Sequence, residues 1–217
     1  MKTTIISIEG NIGSGKSTLF EKLKIHFANN KNIIFVREPV DIWESIQDEN
    51  GTTILEKFYQ DQIKYSFSFQ IMAYISRINL LKETIKHNPG VTIITERSLY
   101  TDKMVFAKML YDTHKIEYIN YQIYLNLFDT FKNDFNVNNI IYIKTDPDIC
   151  YNRILKRARN GENNISLDYL QLCDTYHNNM VDILECDKIV LNGNVDIYEN
   201  TSQLNDWICQ IQDIITQ

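Results

Sequence analysis

A chain of 217 residues with 44% hydrophobic, 12% aromatic and 23% charged side chains is long enough to bury a core unaided and too ordinary in composition for disorder, collagen or low complexity. Its formal net charge of −6 opposes nucleic-acid binding, which needs a broad basic face, so any local cluster of cations is informative. Cys150, Cys173, Cys186 and Cys209 form no CxxC pair and lie near no two-histidine cluster, which argues against zinc and disulfide scaffolds.

In chain order, Thr3 to Ile8 is a short β-branched run, and Lys16 to Phe27 carries Leu19, Phe20, Leu23 and Phe27 at helical spacing. The strand pattern recurs at Ile33 to Val36, at Val91 to Thr95 after Pro89-Gly90, at Ile140 to Ile143 and at Lys188 to Leu191. Helical patterns fill Thr53 to Gln62, Tyr65 to Lys86, Tyr100 to Tyr111, Glu117 to Asn133, Pro147 to Arg157, Ser166 to Glu185 and Ser202 to Ile214. Strands separated by helices predict an α/β protein with a five-stranded parallel sheet and helices on both faces. With no repeat and no Gly/Ser/Pro linker, residues 1–217 read as one domain. No apolar run reaches the roughly 18 residues of a membrane span, and the run at Ile5 to Ile8 meets glycines where a secretory signal stays apolar. The expected setting is cytoplasmic, with free thiols and no membrane partner.

Gly10-Asn11-Ile12-Gly13-Ser14-Gly15-Lys16-Ser17-Thr18 has the spacing Gly, four residues, Gly-Lys-Ser between the first strand and the first helix. Such a loop lets backbone N–H groups curl around phosphates at the positive end of a helix. Lys16 then reaches the β and γ phosphates and Ser17 offers its hydroxyl to Mg²⁺. At the tip of the second strand, Arg37-Glu38-Pro39-Val40 makes Glu38 a candidate base, because ligands of such sheets sit at the strands' C-terminal edge. Thr95-Glu96-Arg97-Ser98 repeats the arrangement after the third strand, an acid for Mg²⁺ beside an arginine for phosphate. No Asn-Lys-x-Asp element for reading guanine follows, which counts against a GTPase switch.

Arg153, Lys156 and Arg157 fall on one helix face, and Arg159 precedes Asn160-Gly161, which is expected to end the helix. In an acidic chain this predicts a mobile cationic lid over about 153–165 that closes on the donor's phosphates. Gln70, Ala73 and Arg77 form a polar stripe on an otherwise apolar helix, and Asp102 with Phe106 could supply a carboxylate partner and a stacking face. That stripe suits the edge of a nucleobase.

Together these motifs, with Trp43 after Glu38-Pro39-Val40, Phe67-Ser68-Phe69-Gln70 running to Ser76-Arg77, and Glu162 in the lid, resemble the deoxynucleoside kinase family from about Thr4 to Thr175. The resemblance implies a P-loop kinase three-layer fold with an Arg-rich lid, ATP as donor, Mg²⁺ and nucleotide salvage. It implies Glu38 as the base for the 5′-hydroxyl, Arg97 near that hydroxyl and the phosphates, and Glu96 with Ser17 for Mg²⁺. It further implies Tyr59 and Glu162 at the sugar 3′-hydroxyl, Trp43, Phe69 and Phe106 lining the base site, Gln70 reading the base, and Arg153, Arg157 and Arg159 as lid arginines. A homodimer through the helices at Tyr65 and Glu117 is implied as well. Ala73, Arg77 and Asp102 resemble the deoxycytidine and deoxyguanosine kinase branch, which points to purine deoxynucleosides or deoxycytidine. Lys103 and Asn160-Gly161-Glu162 depart from the family's usual residues, and the choice among those acceptors stays open. The alternatives are a deoxynucleoside monophosphate kinase of the thymidylate kinase type, whose acceptor phosphate Glu38 would repel, and a nucleotide-binding regulatory module.

Overall fold

The computed structural model describes residues 3–159, 161–197 and 200–216. Its elements run β1 (Thr4–Glu9), α1 (Lys16–His26), β2 (Ile33–Val36), α2 (Val40–Ser45), α3 (Ile54–Gln60), α4 (Gln62–His87), β3 (Thr92–Glu96), a π-helical segment (Thr101–Ala107) continued by α5 (Lys108–Asp112), α6 (Tyr118–Phe131), β4 (Asn139–Lys144), α7 (Pro147–Arg157), α8 (Leu167–Ile183), β5 (Asp187–Asn192) and α9 (Thr201–Thr216). All strand pairs are parallel, in the order β2-β3-β1-β4-β5. The fold is the α/β layering the alternation predicts.

Both sheet faces are covered except at the β5 edge, where Val190 is 55% exposed, and this is why the inner strands read as nearly continuous apolar runs. Ile5, Val36 and Ile93 pack on one face with Phe69, Tyr74 and Ile78 of α4 and Phe128 of α6. Ile6, Ile8, Ile94, Ile141 and Ile143 pack on the other with Leu19 and Phe20 of α1 and Trp207 and Ile211 of α9. Alternate side chains of β1 thus belong to different cores, and slipping its register by one residue would exchange them.

Local chemistry sets several boundaries. Thr53 and Glu56 form a reciprocal capping box at the start of α3, and Asp61 caps α4 through the Lys64 N–H at 3.1 Å. The long helix therefore begins at Gln62 rather than Tyr65. Two further findings depart from sequence expectation. The short helix α2 was not expected, although Pro39 at its N-cap is a start signal. Thr101–Ala107 winds as a π-helix, not the α-helix the spacing suggests. The lid helix ends at Arg157 as its periodicity predicts, with Ala158 left-handed (φ 45°) just after it, so the stop comes shortly before Asn160-Gly161. Asn160 lies outside the described residues. Among those residues no helix is long and apolar enough to cross a membrane, and the four cysteines are unpaired.

Candidate active site

The C-terminal edge of the parallel sheet gathers the loops after β1, β2 and β3. The loop after β1 turns into α1 with Gly15 left-handed (φ 106°) at the N-cap, which leaves the first N–H groups of α1 available to an anion. Gly13 is required by packing as well as by its φ of 81°, since a Cβ there would lie 2.6 Å from the Cys150 carbonyl oxygen on α7. Lys16 is buried and donates to the Asn11 carbonyl at 2.7 Å. Burial and the neighbouring Arg97 bring its ammonium down to about 7, against the pull of Glu96 and Glu38. Ser17 Oγ donates to Glu96 Oε1 at 2.5 Å, so the two oxygens expected to serve Mg²⁺ already meet.

Glu38 leaves the tip of β2 toward this loop, and two arginines hold it. Arg77 Nη2 and Arg97 Nε each lie 3.1 Å from its Oε1. Among the described residues Oε2 has no hydrogen-bond partner. Burial raises the Glu38 carboxyl, but Arg97, Arg77 and Lys16 together outweigh it and hold the group below its ordinary value. The carboxylate is ionised and turned into the cleft, not out to solvent.

Arg77 on α4 binds Asp102 with two prongs, Nε to Oδ2 at 2.8 Å and Nη2 to Oδ1 at 3.3 Å, and donates to the Glu96 carbonyl at 2.8 Å. Burial lifts the Asp102 carboxyl above its ordinary range against the pull of Arg77. The two-pronged geometry still requires a carboxylate, and Arg77, between two acids, keeps its proton. The wider turn of the π-helix carries Asp102 and Phe106 to the same cleft.

Beyond Glu38 lies a chamber lined by Trp43, Phe69, Gln70, Ala73, Asp102 and Phe106, with Tyr59 and Glu162 toward the lid. Its walls are rigid: Phe58 stacks on Phe69 at 4.7 Å, Trp43 meets Phe69 edge-on at 5.4 Å, and Trp43 Nε1 donates to Ser76 Oγ at 2.9 Å. Gln70 is buried, and among the described residues no side chain or backbone group bonds its amide. Such a group wants a partner from a ligand. Burial and the nearby Glu162 raise Tyr59 above its ordinary value, so it stays a neutral donor.

A second cleft joins the phosphate loop to Arg153, Arg157, Gly193, Val195, Ile197 and Trp207. Gly193 is needed there, because a Cβ would fall 1.9 Å from Thr145 Oγ1. The Asn194 side chain instead latches the loop, accepting from the Asp146 N–H at 2.8 Å.

The structure thus brings together Lys16, Ser17, Glu38, Glu96, Arg97 and the base-site residues. The lid is less uniform than its spacing suggests. Arg153 donates to the Ser14 and Val195 carbonyls, and Lys156 is exposed. Arg157 pairs with Glu162, Nε to Oε2 at 2.6 Å and Nη2 to Oε1, while Arg159 Nη1 lies 3.9 Å from the same carboxylate. Glu162 therefore begins engaged by lid arginines rather than free for a sugar. Sequence reasoning missed Phe58 and Tyr169, which line the cleft, and His177, whose Nε2 lies 3.3 Å from Arg97 Nη1. Phe58 adjoins Tyr59, but Tyr169 and His177 lie on α8 with no motif around them.

The model of the deoxynucleoside kinase family matches residues 6–216. A probable deoxycytidine kinase of fowlpox virus is 35% identical over 225 aligned positions, covering 98% of this chain and 88% of that protein. Human deoxycytidine kinase is 35% identical over 186 positions, 76% of this chain and 70% of that one. A mitochondrial deoxyguanosine kinase of Xenopus laevis is 29% identical over 195 positions, 82% of this chain and 72% of that one.

Proposed function

Since the chain belongs to the deoxynucleoside kinase family, we propose a division of labour in which Glu38 takes the proton of the acceptor's 5′-hydroxyl while Lys16, Arg97 and the lid arginines hold the donor's phosphates. Membership makes the protein a kinase that phosphorylates deoxynucleosides with ATP as donor. The observation that carries the finer reading is Glu38 itself, one oxygen held by two arginines and the other open to the cleft between phosphate loop and base chamber. An ionised carboxylate there accepts a proton as the 5′-oxygen attacks the γ-phosphorus in line. Lys16 lines both clefts and Arg97 the one around Glu38, places from which they would meet the phosphoryl oxygens where charge spreads, and Arg153 and Arg157 approach from the lid.

Ser17 Oγ and the Glu96 carboxylate fit Mg²⁺ as hard oxygen donors beside the phosphate loop. When bound, the ion would neutralise charge on the donor's phosphates. Tyr59 donates to, and Glu162 accepts from, the 3′-hydroxyl once Glu162 shares itself with Arg157.

The base chamber supports purine deoxynucleosides or deoxycytidine as acceptors. Ala73 leaves room, Gln70 offers a donor and an acceptor, and the Arg77–Asp102 pair adds polarity. Relatives named deoxycytidine kinase support the same class, and since a thymidine kinase is 30% identical, the preference rests on the chamber's own residues. A panel of the four deoxynucleosides and their monophosphates, assayed with ATP and Mg²⁺, tests this. Turnover of deoxycytidine or a purine deoxynucleoside ahead of thymidine is expected, and exclusive turnover of monophosphates would overturn it.

A homodimer through α4 and α6 completes the proposal. Ile75 on α4 is 40% exposed, and Ile119 and Ile123, one turn apart on α6, are 65% and 50% exposed, apolar side chains that a second copy would cover. Sedimentation should give a dimer that Ile123→Glu dissociates; a monomeric parent protein would refute it.

A further inference from the structure

We propose that His177 is a positioning residue for phosphoryl transfer: its neutral imidazole accepts a hydrogen bond from Arg97 and fixes the guanidinium between Glu38 and the phosphate loop. The need for such a fixture begins in the backbone. Arg97 has a φ of 65°, a region that bulky side chains occupy only where surrounding contacts enforce it, and functional sites are where that happens. Here the Arg97 N–H donates to the Ile8 carbonyl at 3.0 Å, and Nη1 donates to the Gly10 carbonyl at 2.9 Å and faces His177 Nε2 at 3.3 Å. Nε is 3.1 Å from Glu38, and the guanidinium carbon lies 5.0 Å over the Phe106 ring. Among the described residues Nη2 bonds to no protein group, and it is the edge left for a substrate oxygen.

His177 sits on α8 with no exposed surface. Its Nδ1 is 2.8 Å from the Cys173 carbonyl oxygen one turn earlier, and its ring meets Phe106 edge-on at 6.1 Å. The two polar contacts decide the tautomer from both ends. A carbonyl only accepts, so Nδ1 carries the hydrogen; a guanidinium only donates, so Nε2 must offer its lone pair. Protonation would remove that lone pair and set two cations against each other in a site closed to water. Burial, then Arg97, accordingly push His177 well below its ordinary value. The groups facing the ring are Arg97, Phe106 and the Cys173 carbonyl, with Lys16 farther off. None is an acid that would favour the imidazolium. A buried histidine with no other polar partner among the described residues is thus spent on one arginine of the active site.

This inference rests on the role given to Arg97 above, and the experiment separates the two. Kinetics are measured for His177→Gln and His177→Asn, each alone and with Arg97→Ala. Glutamine's amide oxygen reaches the place of Nε2, whereas asparagine reaches only that of Nδ1. Glutamine should keep kcat within about threefold, and asparagine should lower it about tenfold or more with both KM values nearly unchanged. In the Arg97→Ala background asparagine should cost nothing further. Equal kcat for the two variants, a loss carried by KM, or an undiminished asparagine effect without Arg97 would overturn the inference. An Arg97→Ala enzyme with full kcat would instead overturn the role of Arg97. In the wild-type protein, nitrogen NMR at neutral pH should find His177 uncharged with its hydrogen on Nδ1. The opposite tautomer or an imidazolium would overturn the inference even if no variant folds.

Discussion

Donor binding should draw a proton from solution through Lys16. In the ligand-free protein burial and Arg97 bring its ammonium from an ordinary 10.5 to about 7, and a bound triphosphate supplies the negative charge that restores it. A group titrating near 7 is only about one-tenth protonated at about pH 8, so restoring its ordinary affinity takes up about 0.9 proton per donor bound. At about pH 6 the group is already charged, and the uptake from Lys16 falls to about 0.1. Titration calorimetry of ATP without acceptor, in buffers of different ionisation enthalpy, measures this directly near pH 8, where the triphosphate is almost fully ionised. Lys16→Met should bind more weakly and abolish the uptake. Donor binding near pH 8 with no proton taken up, or the same uptake in Lys16→Met, would refute the reasoning. The sign carries to the ligand-free fold. Because the unfolded chain holds this proton up to about 10.5 and the folded chain only to about 7, Lys16 makes the fold more stable as pH rises through that window and changes nothing below it.

Asp102→Ala would leave Arg77 Nε buried without its partner. The expected loss is about 3–5 kcal/mol, read by calorimetry as a fall in Tm of about 6–20 °C; a Tm within about 2 °C of the parent would count against the buried pair. Gly13→Ala forces a Cβ to 2.6 Å from the Cys150 carbonyl at a φ of 81°. Donor affinity should drop at least about tenfold while circular dichroism stays unchanged, and an unaffected donor Kd would show that the loop tolerates the side chain.

The strands and the phosphate loop were legible because each rests on few residues acting locally. Ile5, Ile6 and Ile8 announce a strand buried on both faces, and Gly10 to Ser17 announce a loop that only backbone N–H groups and glycines can build. Glu38 was legible because Pro39 pins an acid at a strand tip. The π-helix was not, since Thr101–Ala107 has ordinary helical spacing. Its wider turn coincides with long-range bonds, one that Asp102 accepts from Arg77 and one that Thr101 donates to the buried Glu9. The pairing of Glu162 with Arg157 spans only five residues, but it follows a left-handed Ala158, a conformation that no glycine at that position announces. His177 left no local signal at all, because its partner Arg97 is 80 residues away in sequence.

Glu38→Gln tests the central claim most directly, since it keeps the side chain's shape and its oxygen for Arg77 and Arg97 while removing the proton acceptor. The account predicts a fall in kcat of about 100-fold or more, with donor and acceptor still bound at nearly parental Kd. A variant that turns over within about tenfold of the parent would contradict it and place the proton elsewhere.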